Sequence, residues 1–484
     1  NTVRCGITSN FCWLIKYRFS CILKTTGGNE KREPSELSMI KAHRYKPTIQ
    51  HGLLWLVRQT YGRWLQWAYN TSVQGSELFE RIKPPFILVG NHATIIDPFL
   101  VTTYVPYDIN WIASDGNMRN KFMRFVMIKL VGCIPKSKAI PDIETVSWIF
   151  EIIKKRKGVV GIYPEGYSSW DGSSNKSFGS TAKLFKTLKV PVVCALSQGA
   201  YMTKPRWSHT RRRGKILISF SELFTSDDLK RLKVEEIDVA LNNAIQQDDP
   251  AWAQKNGYSY PHKHGAEFLE LALYACPSCG ALQSLHSSGT HLTCKSCGFT
   301  TTYNANGSFS ILDKGKSEQP LYLDSSPAPD SSLAPEPDMK GQAGSPPSGN
   351  FFPSIREWDA WQKAYLAKLI DTVYSRDCTK AIFTDDNVQL LKGKRMDTMR
   401  RLGRGSVTIS SEGIVFNPKR GEKPRRAGDI QFPIEQIDSP GVLKWNHFEF
   451  YDGNTVYRVK FADRRASGRK YAIALNRLLQ NHNP

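Results

Sequence analysis

The chain has 484 residues, with 66 Lys and Arg against 44 Asp and Glu, a formal net charge of +22. That length provides for roughly two to four domains, and 40% hydrophobic with 11% aromatic residues excludes wholesale disorder. No run approaches the roughly 18 uninterrupted apolar residues of a membrane-spanning helix, and the basic excess favours a polyanionic partner such as nucleic acid, an anionic bilayer or a phosphorylated substrate.

Residues 1–50 are an N-terminal segment of uncertain status, assigned to no domain. The chain opens Asn1-Thr2, and its apolar run Phe11-Cys12-Trp13-Leu14-Ile15 is cut by Lys16 and Arg18 with no small-residue cleavage site after it. That pattern speaks against a secretory signal. Of the ten cysteines, four make one tight cluster and the rest are scattered without framework spacing, which suits a reducing compartment.

Residues 51–235 read as an α/β domain with a mainly buried sheet flanked by helices. Its first stretch, Leu53-Leu54-Trp55-Leu56-Val57-Arg58 through Trp64-Leu65-Gln66-Trp67-Ala68-Tyr69, is helical, basic and rich in Trp. Such a mix fits an interfacial helix lying on lipid, or a packing helix with buried Trp. The runs Phe86-Ile87-Leu88-Val89, Val159-Val160-Gly161-Ile162-Tyr163, Val190-Pro191-Val192-Val193 and Ile216-Leu217-Ile218-Ser219-Phe220 are continuously apolar, as strands buried on both faces are.

Polar motifs follow two of these strands. After the first comes Asn91-His92-Ala93-Thr94-Ile95-Ile96-Asp97-Pro98. On a regular helix His92 and Asp97 would stand about 140° apart and would not meet. Asp97 before Pro98, however, has the signature of an N-cap and first helical residue. Residues 91–96 would then be a turn that folds His92 back over Asp97. A carboxylate on one imidazole nitrogen fixes the tautomer and leaves the other nitrogen to take a proton. The plainer alternative is a capping Asp97 and a surface His92. After the second strand comes Pro164-Glu165-Gly166-Tyr167-Ser168-Ser169. Open α/β sheets place ligands beyond such strand ends, so the two motifs can face one crevice. Gly132-Cys133-Ile134-Pro135-Lys136-Ser137-Lys138 supplies cations between them.

Together these residues resemble the glycerolipid acyltransferase superfamily, whose best-known members are the 1-acylglycerol-3-phosphate acyltransferases. The His-x4-Asp block is met by His92 and Asp97, and the Phe-Pro-Glu-Gly-x-x-Ser block by Tyr163 through Ser169. The late apolar-Pro block is met by Val190-Pro191-Val192-Val193. Gly132 and Ile134 meet the Gly-x-Ile-x-x-x-Arg block, with Lys138 in place of arginine. The resemblance covers about 75–225. A lysine there turns a bidentate phosphate fork into a point charge.

The resemblance implies acyl transfer from acyl-CoA or acyl-carrier protein to the hydroxyl of a lysophosphatidate-like lysophospholipid. His92, oriented by Asp97, would take the hydroxyl proton. Backbone N–H groups near Asn91–His92 or Gly166 would face the oxyanion. Lys138 would bind the acceptor phosphate, helped by Lys136, Arg119 or Lys121, and Glu165, Gly166 and Ser169 would shape the acceptor pocket. No catalytic cofactor is expected. The implied location is peripheral or monotopic, on the cytoplasmic face of an anionic membrane. Lys204-Pro205-Arg206-Trp207 and Arg211-Arg212-Arg213 form a second cationic patch, either lipid-facing or solvated.

Residues 236–270 read as a helical connector and 271–312 as a zinc ribbon. Cys276-x2-Cys279 and Cys294-x2-Cys297, each with a glycine after its second cysteine, suit a closed tetrahedral Zn²⁺ site. A structural staple is the expected role, and nucleic acid is not expected as a partner. Residues 313–350 are a flexible Pro/Ser/Gly linker. The basic tail, 351–484, opens with a helix bearing Trp358, Trp361 and Tyr365. It becomes β-rich, with a hairpin across Asp452-Gly453-Asn454, and ends in a helix over Tyr471 to Leu479. Strands closed by one C-terminal helix resemble a pleckstrin-homology-type barrel. The pairs Arg400-Arg401, Lys419-Arg420, Arg425-Arg426 and Arg464-Arg465 would then lie near loops open to anionic headgroups. The rival reading is a catalytically inactive membrane or nucleic-acid adaptor that uses the ribbon and the basic surface.

Overall fold

Seven strands carry the first domain: β1 (Thr71–Gln74), β2 (Phe86–Gly90), β3 (Ile109–Ser114), β4 (Ile134–Lys136), β5 (Val159–Ile162), β6 (Val192–Gln198) and β7 (Ile216–Phe224). The structure is a computed structural model that describes residues 46–137, 143–311, 351–419 and 428–482. The sheet runs β1-β7-β6-β2-β5-β3-β4, parallel from β6 to β4, with β7 antiparallel to β6. Every residue of β2, at the centre, is buried. β6 begins at Val192 rather than Val190 because Pro191 has no N–H to give the ladder. The Pro191 carbonyl still accepts from Ile87 N at 2.9 Å.

One face of the sheet is covered by helices Ile143–Phe150, Ser180–Leu188 and Val234–Ile245. They bury Trp148, Ile149, Phe185, Leu188, Ile237, Leu241 and Ile245 against Ile87, Val89, Val160 and Val192. Full burial of each such side chain contributes roughly 1.5–3 kcal/mol. The stretch read as a connector, 236–270, therefore gives its first helix to this core.

The ribbon is a four-stranded antiparallel sheet of β8 (Leu285–Ser288), β9 (His291–Cys294), β10 (Thr300–Tyr303) and β11 (Phe309–Ile311). The tail starts with helix Ile355–Leu369, whose Ser354 and Glu357 form a reciprocal capping box. An antiparallel sheet follows: β12 (Phe383–Gly393), β13 (Arg400–Ser410), β14 (Gly413–Pro418), β15 (Ile430–Pro433), β16 (Asp438–Leu443), β17 (His447–Asp452) and β18 (Thr455–Phe461). The expected hairpin is present, with Tyr451 opposite Val456 and Gly453 at φ +52°. Helix Gly468–His482 closes the chain, longer at both ends than its apolar pattern suggested.

Composition presents the ribbon and tail as separate modules, but they share one core. Leu271, Tyr274 and Cys276 pack with Trp358, Leu366, Phe383, Phe448 and Tyr471, and with Trp170 and Trp207 from the first domain. Among the described residues no helix is long and apolar enough to cross a membrane.

Candidate active site

The chain leaves β2 as an irregular turn and enters helix Asp97–Tyr104. The helix opens at Asp97 itself, with Ile96 as its cap residue and no side-chain capping bond. The expected N-cap at Asp97 is thus displaced by one residue, because its carboxylate turns back into the preceding loop. Oδ2 accepts Thr94 N at 2.8 Å and meets His92 Nδ1 at 3.0 Å. Asp97 is 0% exposed, whereas the His92 side chain is 18% exposed. Burial pushes the Asp97 carboxyl up, and the bond to His92 and the Thr94 N–H oppose it. With Nδ1 held, Nε2 is the nitrogen left for proton transfer.

Glu165 braces the same turn from the end of β5. It is buried, its Oε1 accepts His92 N at 2.5 Å, and its Oε2 accepts both Asn175 N (2.6 Å) and Asn175 Nδ2 (3.0 Å). Desolvation raises its carboxyl, against the pull of those N–H groups. Ser169 N donates to His92 O at 2.8 Å, so the two strand-end loops are joined at both the N–H and the C=O of His92. Ser169 Oγ is itself buried, donating to Ser173 O (2.7 Å) and accepting from Gly172 N (2.9 Å). Gly166, at φ +76°, closes the turn with its N–H on Tyr163 O at 3.1 Å, and a Cβ there would stand 2.5 Å from Phe178.

These bonds correct part of the reading from sequence. The N–H groups of His92 and Gly166 already have acceptors within the protein, so neither is an open oxyanion donor. Glu165 and Ser169 direct their polar atoms inward and brace the site instead of lining a pocket.

The cationic helpers also differ from expectation. Arg119 is 5% exposed and pairs with Glu449 of β17, while its Nε donates to Arg395 O at 3.0 Å. Glu449 accepts in addition from Arg458 Nε at 2.5 Å. Arg395 reaches back to Glu144 at 2.9 Å. Arg119 is therefore committed to the contact between the tail and the first domain. Lys121 and Lys136 are exposed, and Lys138 lies outside the described residues. The second cationic patch is partly internal: Arg212 is buried with its guanidinium over Trp207 and Tyr303, and Arg206 spans Ser168 O (3.1 Å) and Val442 O (2.7 Å). In the tail, Arg465 pairs with Glu270 and donates to Ser287 O at 3.0 Å, so it joins ribbon and tail. Arg420, Arg425 and Arg426 lie outside the described residues.

Two contributors carried no signal in sequence spacing. Asn91 clamps the end of β2 to β6, donating to Ser197 O at 2.8 Å and accepting Ser197 N at 2.7 Å. Asn175 holds Glu165 from ten residues away, a separation that no local rule marks. The adjacency of Asn91 to His92 was the one available hint.

The four ribbon cysteines converge as their spacing predicts. Their sulfurs lie within 4.8 Å of one another, with Cys276–Cys297 at 3.7 Å and Cys279–Cys294 at 3.8 Å. Gly280 (φ +69°) and Gly298 (φ +76°) make the two knuckle turns, donating to Cys276 O and Cys294 O.

Residues 70–196 match the family model Acyltransferase. No curated protein matches the chain. Among solved structures the chain is similar to the 1-acyl-sn-glycerophosphate (LPA) acyltransferase PlsC from Thermotoga maritima. The TM-score is 0.34 at 19% identity, over 40% of this chain and 76% of that one.

Proposed function

We propose that this chain is a membrane-associated acyltransferase that moves an acyl group from acyl-CoA or acyl-carrier protein to the hydroxyl of a lysophosphatidate-like acceptor. The observation that carries the reading is the His92–Asp97 pair at 3.0 Å, placed at the end of the central strand of an acyltransferase-family domain. Nε2 of His92 removes the acceptor's hydroxyl proton as the oxygen attacks the thioester carbonyl. The tetrahedral adduct collapses to the ester and expels the thiolate, which recovers the proton from the imidazolium. Asp97 holds the tautomer and offsets the charge that His92 acquires. Glu165 and Ser169 keep the His92 backbone in place. Lys138 remains the proposed partner of the acceptor phosphate, and Gly166 gives the Glu165 loop its turn. Acyl transfer by the purified chain, offered labelled acyl-CoA and a panel of lysolipids, tests the reading. Product on phosphate-bearing acceptors supports it, and product indifferent to the phosphate removes the role given to Lys138.

The membrane attachment rests on exposed apolar side chains in the His92 turn, on the helix that follows it and on the Trp-rich stretch before β1. Trp55 and Leu56, Trp67, Ile95 and Phe99 are all exposed, with Trp67 at 72%. The Trp-rich stretch starting at helix His51–Val57 lies against the helix that bears Phe99, Tyr61 meeting Phe99 edge-on at 6.3 Å. We propose that these residues enter the acyl boundary of an anionic cytoplasmic leaflet and set His92 at the height of the acceptor hydroxyl. Replacing Trp55 and Trp67 together with Ser is expected to weaken partition into anionic vesicles about tenfold or more, read by sedimentation. Unchanged partition would remove this surface from the account.

The ribbon is proposed to hold structural Zn²⁺. Tetrahedral Zn–S bonds near 2.3 Å place sulfurs about 3.8 Å apart, and the Cys276–Cys297 and Cys279–Cys294 pairs stand at 3.7 and 3.8 Å. Metal analysis should return about one Zn²⁺ per chain. Because Cys276 belongs to the core shared with the tail, Cys294→Ser should lower the thermal midpoint of the tail as well as of the ribbon. The tail is proposed to be pleckstrin-like in type, on its antiparallel sheet and closing helix.

A further inference from the structure

His92 is held at its edge by Asp97 and at its face by a second device. Its imidazole lies on the ring of Tyr163, centroids 4.5 Å apart and planes 21° from parallel. Tyr163 lies in turn on Trp111, at 4.9 Å and 7°. The three rings come from the turn after β2, the residue after β5, and β3. These three strands are neighbours in the sheet, so the rings stack across its C-terminal edge.

Small residues make room for the stack. Gly161 pairs with Trp111 across the sheet, and a Cβ on it would lie 2.3 Å from the indole. A Cβ on Gly90 would lie 2.5 Å from Ala195 O and 3.4 Å from the Tyr163 ring. Trp111 is fixed by its Nε1, which donates to Thr102 Oγ1 at 3.0 Å. The Tyr163 hydroxyl is buried and makes no hydrogen bond among the described residues. Burial, with Asp97 and Glu165 nearby, holds its pKa well above the ordinary value, so the ring is neutral and its face is electron-rich.

We propose that Tyr163, seated on Trp111, is a positioning residue for the acyl transfer: its face fixes the plane of the His92 imidazole and stabilises the positive charge that the imidazole gains with the acceptor's proton. The inference rests on the acyltransferase reading above. A single bond from Nδ1 to Asp97 leaves the ring free to tilt about that bond, and contact across its face removes the tilt. A cation over an aromatic ring is worth a factor of roughly 2 to 30 in an equilibrium or a rate. That charge is absent before proton transfer, so the gain belongs to kcat and not to KM.

The test is steady-state kinetics of the full chain on vesicles, with acyl-CoA and lysophosphatidate each varied. Tyr163→Phe keeps the face and should stay within about twofold of wild type, because the hydroxyl has no hydrogen bond to lose among the described residues. Tyr163→Leu removes the face and should lower kcat about 10- to 100-fold, with both KM values within about threefold. Should Tyr163→Leu not fold, Tyr163→Met fills a similar volume and carries the same expectation. A face-less variant with wild-type kcat overturns the proposal. So does a loss that appears in KM, or a Tyr163→Phe loss as large as that of Tyr163→Leu. In each of those outcomes an active wild type leaves the acyltransferase reading standing. A wild-type chain that transfers nothing overturns both.

Discussion

His92→Ala is expected to lower acyl transfer by about 10²- to 10⁴-fold while the chain stays folded. The loss is large because, among the described residues, neither carboxylate that contacts His92 is free to replace Nε2. Asp97 is fully buried, and both oxygens of Glu165 are engaged by N–H groups. The fold should survive because the side chain of His92 is partly exposed, and its backbone N–H and C=O keep their bonds to Glu165 and Ser169 after the substitution. Asp97→Asn should fall in the same range for a different reason, since an amide no longer offsets the charge on the imidazolium. Unaltered acceptor KM with reduced kcat, and an unchanged thermal midpoint, is the expected signature in both variants.

Asp359→Ala is expected to destabilise the chain by about 3–5 kcal/mol. Asp359 is fully buried and accepts from Arg469 at 2.6 and 2.7 Å, from Lys363 at 2.6 Å and from Gln362 at 2.7 Å. Arg469 also donates to Ala272 O and lies over Trp170, whose ring is shared with the guanidinium of Arg206. Truncating the carboxylate would leave the buried Arg469 guanidinium without its acidic partner, at the same indole as the Arg206 guanidinium. Double replacement of Asp359 and Arg469 by apolar residues should recover much of the loss, because no buried charge then lacks a partner. Burial pushes the Asp359 carboxyl up, but Arg469 and Lys363 outweigh it and hold it below the ordinary value. The pair therefore stabilises the fold above the usual aspartate range and loses that contribution as pH falls through the lowered native value. The difference between wild type and Asp359→Ala in urea midpoint should be full at pH 7 and shrink towards pH 3. A constant difference across that range would contradict the ion-pair account.

The strands of the first domain were legible in the sequence where burial on both faces made them continuously apolar, as in Phe86–Val89 and Val159–Ile162. Strands β1 and β4 have no such run, because β1 is a polar edge and β4 is only three residues long. The turn that brings His92 to Asp97 was readable from Pro98, although the cap itself lay one residue earlier. The cysteine knuckles and the Asp-Gly hairpin were local signals and appear where spacing put them.

What the sequence could not show are contacts between distant segments. Arg119 is 330 residues from Glu449, and nothing near either residue marks the pairing. A Pro/Ser/Gly stretch suggests independent modules, yet it does not decide whether the parts on either side pack together. Here they do: Trp170, just past the Glu165 loop, shares a core with Trp358 and Phe448. The tail consequently supports the loop that supports His92, a link visible only once Arg206 is seen to reach Val442.

The most direct measurement is mass-spectrometric detection of product when the purified full chain meets labelled acyl-CoA, or acyl-loaded carrier protein, on anionic vesicles containing lysophosphatidate. A new diacyl product is expected with wild type and none above background with His92→Ala. No product from a folded wild type on any lysolipid, alongside salt-sensitive binding to vesicles or nucleic acid, would contradict the acyltransferase reading and leave an adaptor built on an acyltransferase scaffold.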